Sequence, residues 1–266
     1  MLSSQVRRVL DAGRRRLHAP QGLTRLPSIT NSIISDLFVW RQDHGWTTNF
    51  ELLSLASLLD PGDSRLNHEI KFVIFDAQGQ VVADKTLHSK SAVRQTLRLK
   101  DHVPTCAGDF GTFACFHLGV DPSLTSAGTF LTERGYSSYG RGAEVPRNFV
   151  HGNLDAASWS ASGLELLGTQ GRMASRYRLQ VVIEPDLLFE LAVVNPTNHP
   201  ITIDIEQDGR DGRQVSSVEL EPKGVCIQPV GHGRKFDTLV SLRSKLPMAR
   251  PIVFVSSEDS FDVFHG

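Results

Sequence analysis

The chain has 266 residues, 40% of them apolar and 21% charged, a composition that can bury a full core without disulfide or metal support. Its formal net charge of −1 offers no global field to recruit nucleic acid or an acidic membrane. Three cysteines, Cys106, Cys115 and Cys226, are odd in number and lack zinc-knuckle spacing. They read as buried free thiols, which points to a reducing, cytoplasmic setting.

Residues 1–26 open with the clearest helical pattern in the chain. Leu2, Val6, Val9, Leu10 and Leu17 recur at helical spacing, and Pro20 ends the run. Six arginines stand against Asp11 alone. This basic amphipathic arm could meet a membrane surface or an acidic partner through Arg7, Arg8, Arg14, Arg15 and Arg16. A transit peptide and a helix docked on its own protein remain alternatives. The segment has no uninterrupted apolar stretch of a secretory signal, and no run in the chain is long enough for a spanning helix.

Beyond residue 30 the period shortens to that of strands. "ISDLFVWR" (34–41) and "TTNFELLSL" (47–55) flank the turn "QDHG". Residues 68–87 form the strongest hairpin signal, two apolar runs around Asp76-Ala77-Gln78-Gly79. "AVRQTLRLK" and the aromatic "GTFACFHLGV" follow. Residues 154–174 are small, polar and glycine-rich, and read as a linker with a short helix around 164–167. Eight further strand-like runs fill residues 175–266.

The two halves match in order. "NFELLSL" corresponds to "LFELAVV", the 68–87 hairpin to the hairpin at 201–220, "AVRQTLRL" to "GVCIQPV", and "FVHGN" to the terminal "DVFHG". Phe50 to His151 spans 101 positions and Phe189 to His265 spans 76, so the first half carries the insertions. The pattern predicts an all-β fold, with two tandem antiparallel β-sandwich domains, Ig-like or jelly-roll-like, from an internal duplication. The expected boundaries are 1–26 for the arm, 30–153 and 175–266 for the sandwiches, and 154–174 for the linker. His-Gly at 151–152 and 265–266 would then be one strand end repeated.

Gly62-Asp63-Ser64, Gly152-Asn153 and Asp262-x-x-His265 stand in an order that resembles the blocks of the SGNH (GDSL) esterase family. The resemblance implies Ser64 as nucleophile, Gly152 and Asn153 in an oxyanion hole, and Asp262 with His265 completing a triad. The context departs from that family. Pro61 precedes the glycine, Leu154 replaces the expected Asp, and the alternating helices of a parallel sheet are missing from the pattern.

The ten histidines never fall two apart on one strand, so no metal site and no cofactor is expected. The most chemically loaded stretch is 131–153. Arg134, Tyr136, Tyr139, Arg141, Arg147, His151 and Asn153 there combine forked cations with flat aromatic faces, a set that suits an anionic sugar or an acidic protein surface. The alternative is an internal salt-bridge network. Trp40 and Trp46, around "RQDHG", are either core residues or a sugar platform. Two function classes follow. One is a non-catalytic binding or assembly protein that recognises a carbohydrate or an acidic partner. The other is an enzyme acting on a carbohydrate or ester, with His151 as acid/base and Glu133 in support. A homo-oligomer through sheet edges is compatible with either.

Overall fold

The computed structural model describes residues 33–53, 69–88, 94–118, 132–133, 135–142, 147–152, 155–167, 175–246 and 248–266. The N-terminal arm, Ser64, Arg134 and Asn153 lie outside the described residues.

Those residues form strands β1 (Ile33–Asp36), β2 (Phe38–Arg41), β3 (Trp46–Leu53), β4 (Glu69–Asp76), β5 (Val81–His88), β6 (Arg94–Arg98), β7 (Phe110–His117), β8 (Thr132–Glu133), β9 (Tyr136–Arg141) and β10 (Asn148–His151). They continue with β11 (Asp155–Ser160), β12 (Gly163–Leu166), β13 (Ser175–Ile183), β14 (Leu188–Val194), β15 (Ile201–Gly209), β16 (Gly212–Leu220), β17 (Val225–Val230), β18 (Thr238–Ser244), β19 (Ile252–Ser256) and β20 (Phe261–His265). Five four-stranded sheets result. Sheet I is ordered β12-β11-β1-β8, sheet II β2-β7-β4-β5, sheet III β10-β9-β3-β6, sheet IV β13-β18-β15-β16 and sheet V β17-β14-β19-β20. The architecture is all-β and sandwich-like. Its pairings are antiparallel except for β1 with β8, which is parallel.

Strand alternation explains the layering. In β4, Ile70, Phe72 and Ile74 point into one core with Phe50 and Leu52 of β3, while Val73 and Phe75 point into another. Sheet II is therefore covered on both faces, which is why β4 and β7 read as continuous apolar runs. Sheets II and III enclose the first core, and sheets IV and V enclose a second. A third core lies between, where sheet II meets sheets I and V. It is rich in small residues, including Ala114, Ala156, Ala157 and Ala192.

The hairpin β4–β5 forms at the expected turn. Asp76 Oδ1 accepts from the backbone N–H groups of Gln78 and Gln80, and Gly79 sits at φ 78°, a left-handed conformation that glycine adopts without penalty. The stretch 154–174 is not simply a linker with a short helix. It supplies β11 and β12, and β11 pairs with β1. Its small side chains let the sheets approach closely, with the Trp159 ring 5.9 Å from that of Phe116. "ISDLFVWR" is likewise two strands in two sheets, divided at Leu37.

Among the contacts that fasten the halves, two lie near the β2–β3 and β4–β5 turns. The tip of the β4–β5 turn meets the β16–β17 turn, where Val225 N–H donates to the Ala77 carbonyl at 3.0 Å and Thr112 Oγ1 donates to the Lys223 carbonyl at 2.6 Å. The second fastening is the buried Arg41. Its Nε and Nη2 each donate to Asp43 at 2.7 Å, and its Nη1 donates to Glu190 Oε2 at 3.0 Å. The guanidinium packs against the rings of both Trp46 and Phe254, 5.0 and 4.6 Å from their centroids.

Candidate functional site

Sheet III presents its outer face to solvent, and the register decides what appears there. Along β6 and just beyond it, Leu97 and Leu99 turn inward while Arg98 and Lys100 are exposed. Asn49 lies opposite Arg98 across β3–β6, and Thr47 lies opposite Gly140 across β3–β9. Arg147, just before β10, folds back over this surface. Its Nη1 donates to the Ser138 carbonyl at 3.0 Å and its Nη2 to Thr47 Oγ1 at 3.0 Å.

These residues line a cleft of about 690 Å³. Arg98, Lys100 and Arg147 bring three cations to it beside Arg41, whose charge is met by Asp43 and Glu190, and against Asp109 as the lining carboxylate, while Gln42, Thr47 and Asn49 add neutral hydrogen-bonding groups. Burial pulls the Arg147 pKa down, Glu51 opposes that, and the neighbouring charge of Arg98 adds to it. Neither Arg98 nor Lys100 is tied in an ion pair among the described residues. The cleft is thus a preformed, half-open pocket with surplus positive charge.

Of the other expected site residues, Trp40 and Trp46 line this cleft, and the remaining described ones do not. His151 lies on β10 four residues from Arg147, about 13 Å along the strand. It faces Tyr136, which faces Glu51 in turn. Tyr136 is 43% exposed and available to a ligand. Tyr139 is wholly buried, and its hydroxyl donates to the Val39 carbonyl at 2.8 Å. Burial raises its pKa. It is a core residue, because position 139 falls on the inward face of β9. Arg141 donates to the Ser257 carbonyl at 3.0 Å and lies near Trp46, holding the halves together. Glu133 belongs to β8, in sheet I rather than sheet III. Most of the described residues in 131–153 are thus strand. Trp40 and Trp46 are 1% and 2% exposed, and Trp40 Nε1 donates to the Phe75 carbonyl, so neither is an open sugar platform.

The hydrolase arrangement also fails on geometry. Asp262 and His265 are three apart on β20 and point to opposite faces. Asp262 accepts from Asn148 Nδ2 at 2.8 Å, whereas His265 Nε2 donates to the His151 carbonyl at 3.0 Å. The two rings lie 4.6 Å apart. The His265 pKa is lowered to about 4, chiefly by burial. His151 Nδ1 contacts the Gly152 carbonyl at 2.7 Å. A Cβ on Gly152 would overlap the Asp36 carboxylate, so the first His-Gly marks a close approach of two strands.

Cys115 is buried, but Cys106 is exposed and Cys226 lies between, so the expectation of buried thiols holds for Cys115 alone. Among the described residues no group of three His, Cys, Asp or Glu is placed to hold a metal ion, and no helix is long and apolar enough to cross a membrane. Arg98, Lys100 and Asn49 escaped the sequence reading. The alternation in "TLRLK" was the available signal.

No protein-family model matches the chain, and no curated protein matches it. Among solved structures it is similar to infectious bursal disease virus, Gt strain, at 11% identity over 95% of this chain and 78% of that one, with a TM-score of 0.18. It is also similar to a glycosyl hydrolase family 2 member from Bacteroides cellulosilyticus, at 9% identity over 92% of this chain and 31% of that one, with a TM-score of 0.16. The chain spans under a third of that hydrolase, and likeness this low carries no argument about fold or function.

Proposed function

We propose that the protein is a non-catalytic binding module whose sheet III cleft takes an anionic carbohydrate. One observation carries this reading. Three cations besides the ion-paired Arg41 converge on a cleft of about 690 Å³ that holds Asp109 as its lining carboxylate. Arg147 is already positioned by bonds to Thr47 and the Ser138 carbonyl, so little ordering cost falls on binding. Guanidinium forks fit carboxylate and sulfate groups, while Thr47, Asn49 and Gln42 suit sugar hydroxyls. An acidic segment of a protein partner is the competing occupant.

The test is an array of uronic-acid, sulfated and neutral oligosaccharides probed with the purified protein and its Arg98→Ala/Lys100→Ala variant. Binding confined to the acidic sugars and lost in the variant is the expected result. Silence on the array, or equal binding of neutral sugars, would sink the reading.

We also infer that the two halves arose by duplication, as tandem sandwiches. The strand orders support this. β10-β9-β3-β6 and β20-β19-β14-β17 run alike, as do β2-β7-β4-β5 and β13-β18-β15-β16. The sequence segments that correspond between the halves occupy the same places in those orders. Sheet I and the cleft insertions would then be additions to the first copy, which fits a site in that copy.

A further inference from the structure

A second groove, of about 350 Å³, opens at one end of the second half, far in character from the cationic cleft. Its apolar walls include Val181, Val182, Leu187, Phe261 and Phe264. Val182 is 47% exposed. Apolar side chains left open in one concave place mark an interaction surface.

Its lips are mainly acidic. The β13–β14 turn supplies Glu184 and Asp186, and the β19–β20 turn supplies Glu258 and Asp259, followed by Asp262 on β20. All five are exposed. The two turns are neighbours because Leu188 pairs with Ser256. Glu184, Asp186, Glu258 and Asp259 have no cationic partner among the described residues. Asp262 is bonded to Asn148. Arg141 reaches this lip but donates to the Ser257 carbonyl, not to a carboxylate.

An apolar floor between acidic lips calls for an apolar stripe between cations. Residues 1–26 have that pattern, with Leu2, Val6, Val9, Leu10 and Leu17 at helical spacing among six arginines. We propose that residues 1–26 dock in this groove on their own chain, apolar side chains on the floor and arginines against the lips. Charge complementarity would fix the seat and exclude wrong ones.

The reach is sufficient. The β1–β2 run from Ile33 to Arg41 covers about 27 Å, and Arg41 bonds Glu190, close to the groove wall. Leu17 to Ile33 is sixteen residues, which extend to roughly 55 Å. Tethering gives the segment a high effective concentration over a copy in solution.

The experiment places a photoreactive benzoylphenylalanine at Val182 in the full-length protein and maps cross-links by mass spectrometry. A second probe at Val215, 53% exposed on sheet IV, is the control. Cross-links from 182 but not 215 to residues 1–26 are expected. Glu184→Lys/Asp186→Lys/Glu258→Lys/Asp259→Lys should cut the yield at least ten-fold. Adding Arg→Glu changes at 7, 8, 14, 15 and 16 should restore it at least half-way. In an equal mixture of light and ¹⁵N-labelled chains, the cross-linked pairs should be light–light or heavy–heavy. Pairs of mixed label would overturn the own-chain seat in favour of exchange between copies. Cross-links from 182 that avoid residues 1–26, or a yield indifferent to charge reversal, would overturn the docking itself. The outcome is independent of the sugar array, because the cationic cleft lies on sheet III.

Discussion

Arg41 Nη1 meets Glu190 Oε2 at 3.0 Å, joining residues 149 positions apart across the junction of the two halves. The guanidinium side chain is fully buried, and Asp43 occupies its other edge. A buried cation of this kind is tolerated only while its carboxylates and aromatic faces remain in place. Glu190→Ala leaves the charge half-compensated and should cost about 3 kcal/mol of stability. Arg41→Lys should cost nearly as much, because an ammonium cannot present two bonding edges at once. Urea unfolding with an unchanged slope would measure both, and a shift within error of zero would show that the junction does not depend on this pair.

The turn-to-turn fastening depends on a glycine. A side chain at Gly79 would be strained at φ 78° and would also drive a Cβ into the Pro222 carbonyl. Gly233 has a similar φ of 74° but open space around its missing Cβ. Gly233→Ala should therefore cost only the conformational penalty, about 1 kcal/mol. Gly79→Ala should cost more, since the two turns must separate as well. Parallel thermal melts of the two variants check this, and equal losses would mean that the turn-to-turn contact is slack.

What the sequence displayed, and what it concealed, follows from the range of the interactions. The β4–β5 hairpin was legible because Asp76 and Gly79 act within four residues. β11 was not, because Ala156 and Ala157 look like linker residues until sheet II is seen pressing on them. Tyr139 was misassigned because the register of β9, which turns it inward, is set by pairing with β3 far away in sequence. Arg41 read as an ordinary charged strand end, since its partner Glu190 lies in the other half. In the candidate cleft Arg147 was foreseen, as were Trp40 and Trp46, though these two are buried in its wall rather than open to a ligand. Arg98 and Lys100 join Arg147 because β6 pairs beside β3, a contact that the local pattern does not encode.

The cleft residues should separate by role. Arg98 is exposed, and its removal should leave stability within about 0.5 kcal/mol while weakening an acidic oligosaccharide at least ten-fold. Arg147 ties β9 to β3 through the Ser138 carbonyl and Thr47, so Arg147→Ala should lose both binding and about 1–2 kcal/mol of stability. Titration calorimetry at two salt concentrations, beside thermal melts, distinguishes them. Affinity that does not fall with salt would argue against a cationic cleft as the seat.

The His265 and His151 pair makes stability depend on pH in a defined direction. Burial lowers the His265 pKa from 6.5 to about 4; the His151 carbonyl, which accepts from Nε2, opposes the shift, and the nearby His151 and Arg250 charges add to it. Between these values the unfolded chain binds a proton that the folded chain refuses. The contribution is complete above pH 6.5, declines as pH falls toward 4, and is gone below it. His265→Gln keeps a donor for the His151 carbonyl but does not titrate. Melting temperatures recorded from pH 7.5 to 4.5 should therefore fall more steeply for the wild type than for the variant. Parallel curves would mean that His265 stays accessible to protons in the folded protein, and that the close, tilted His151 ring at the β10–β20 seam is no barrier to its charging.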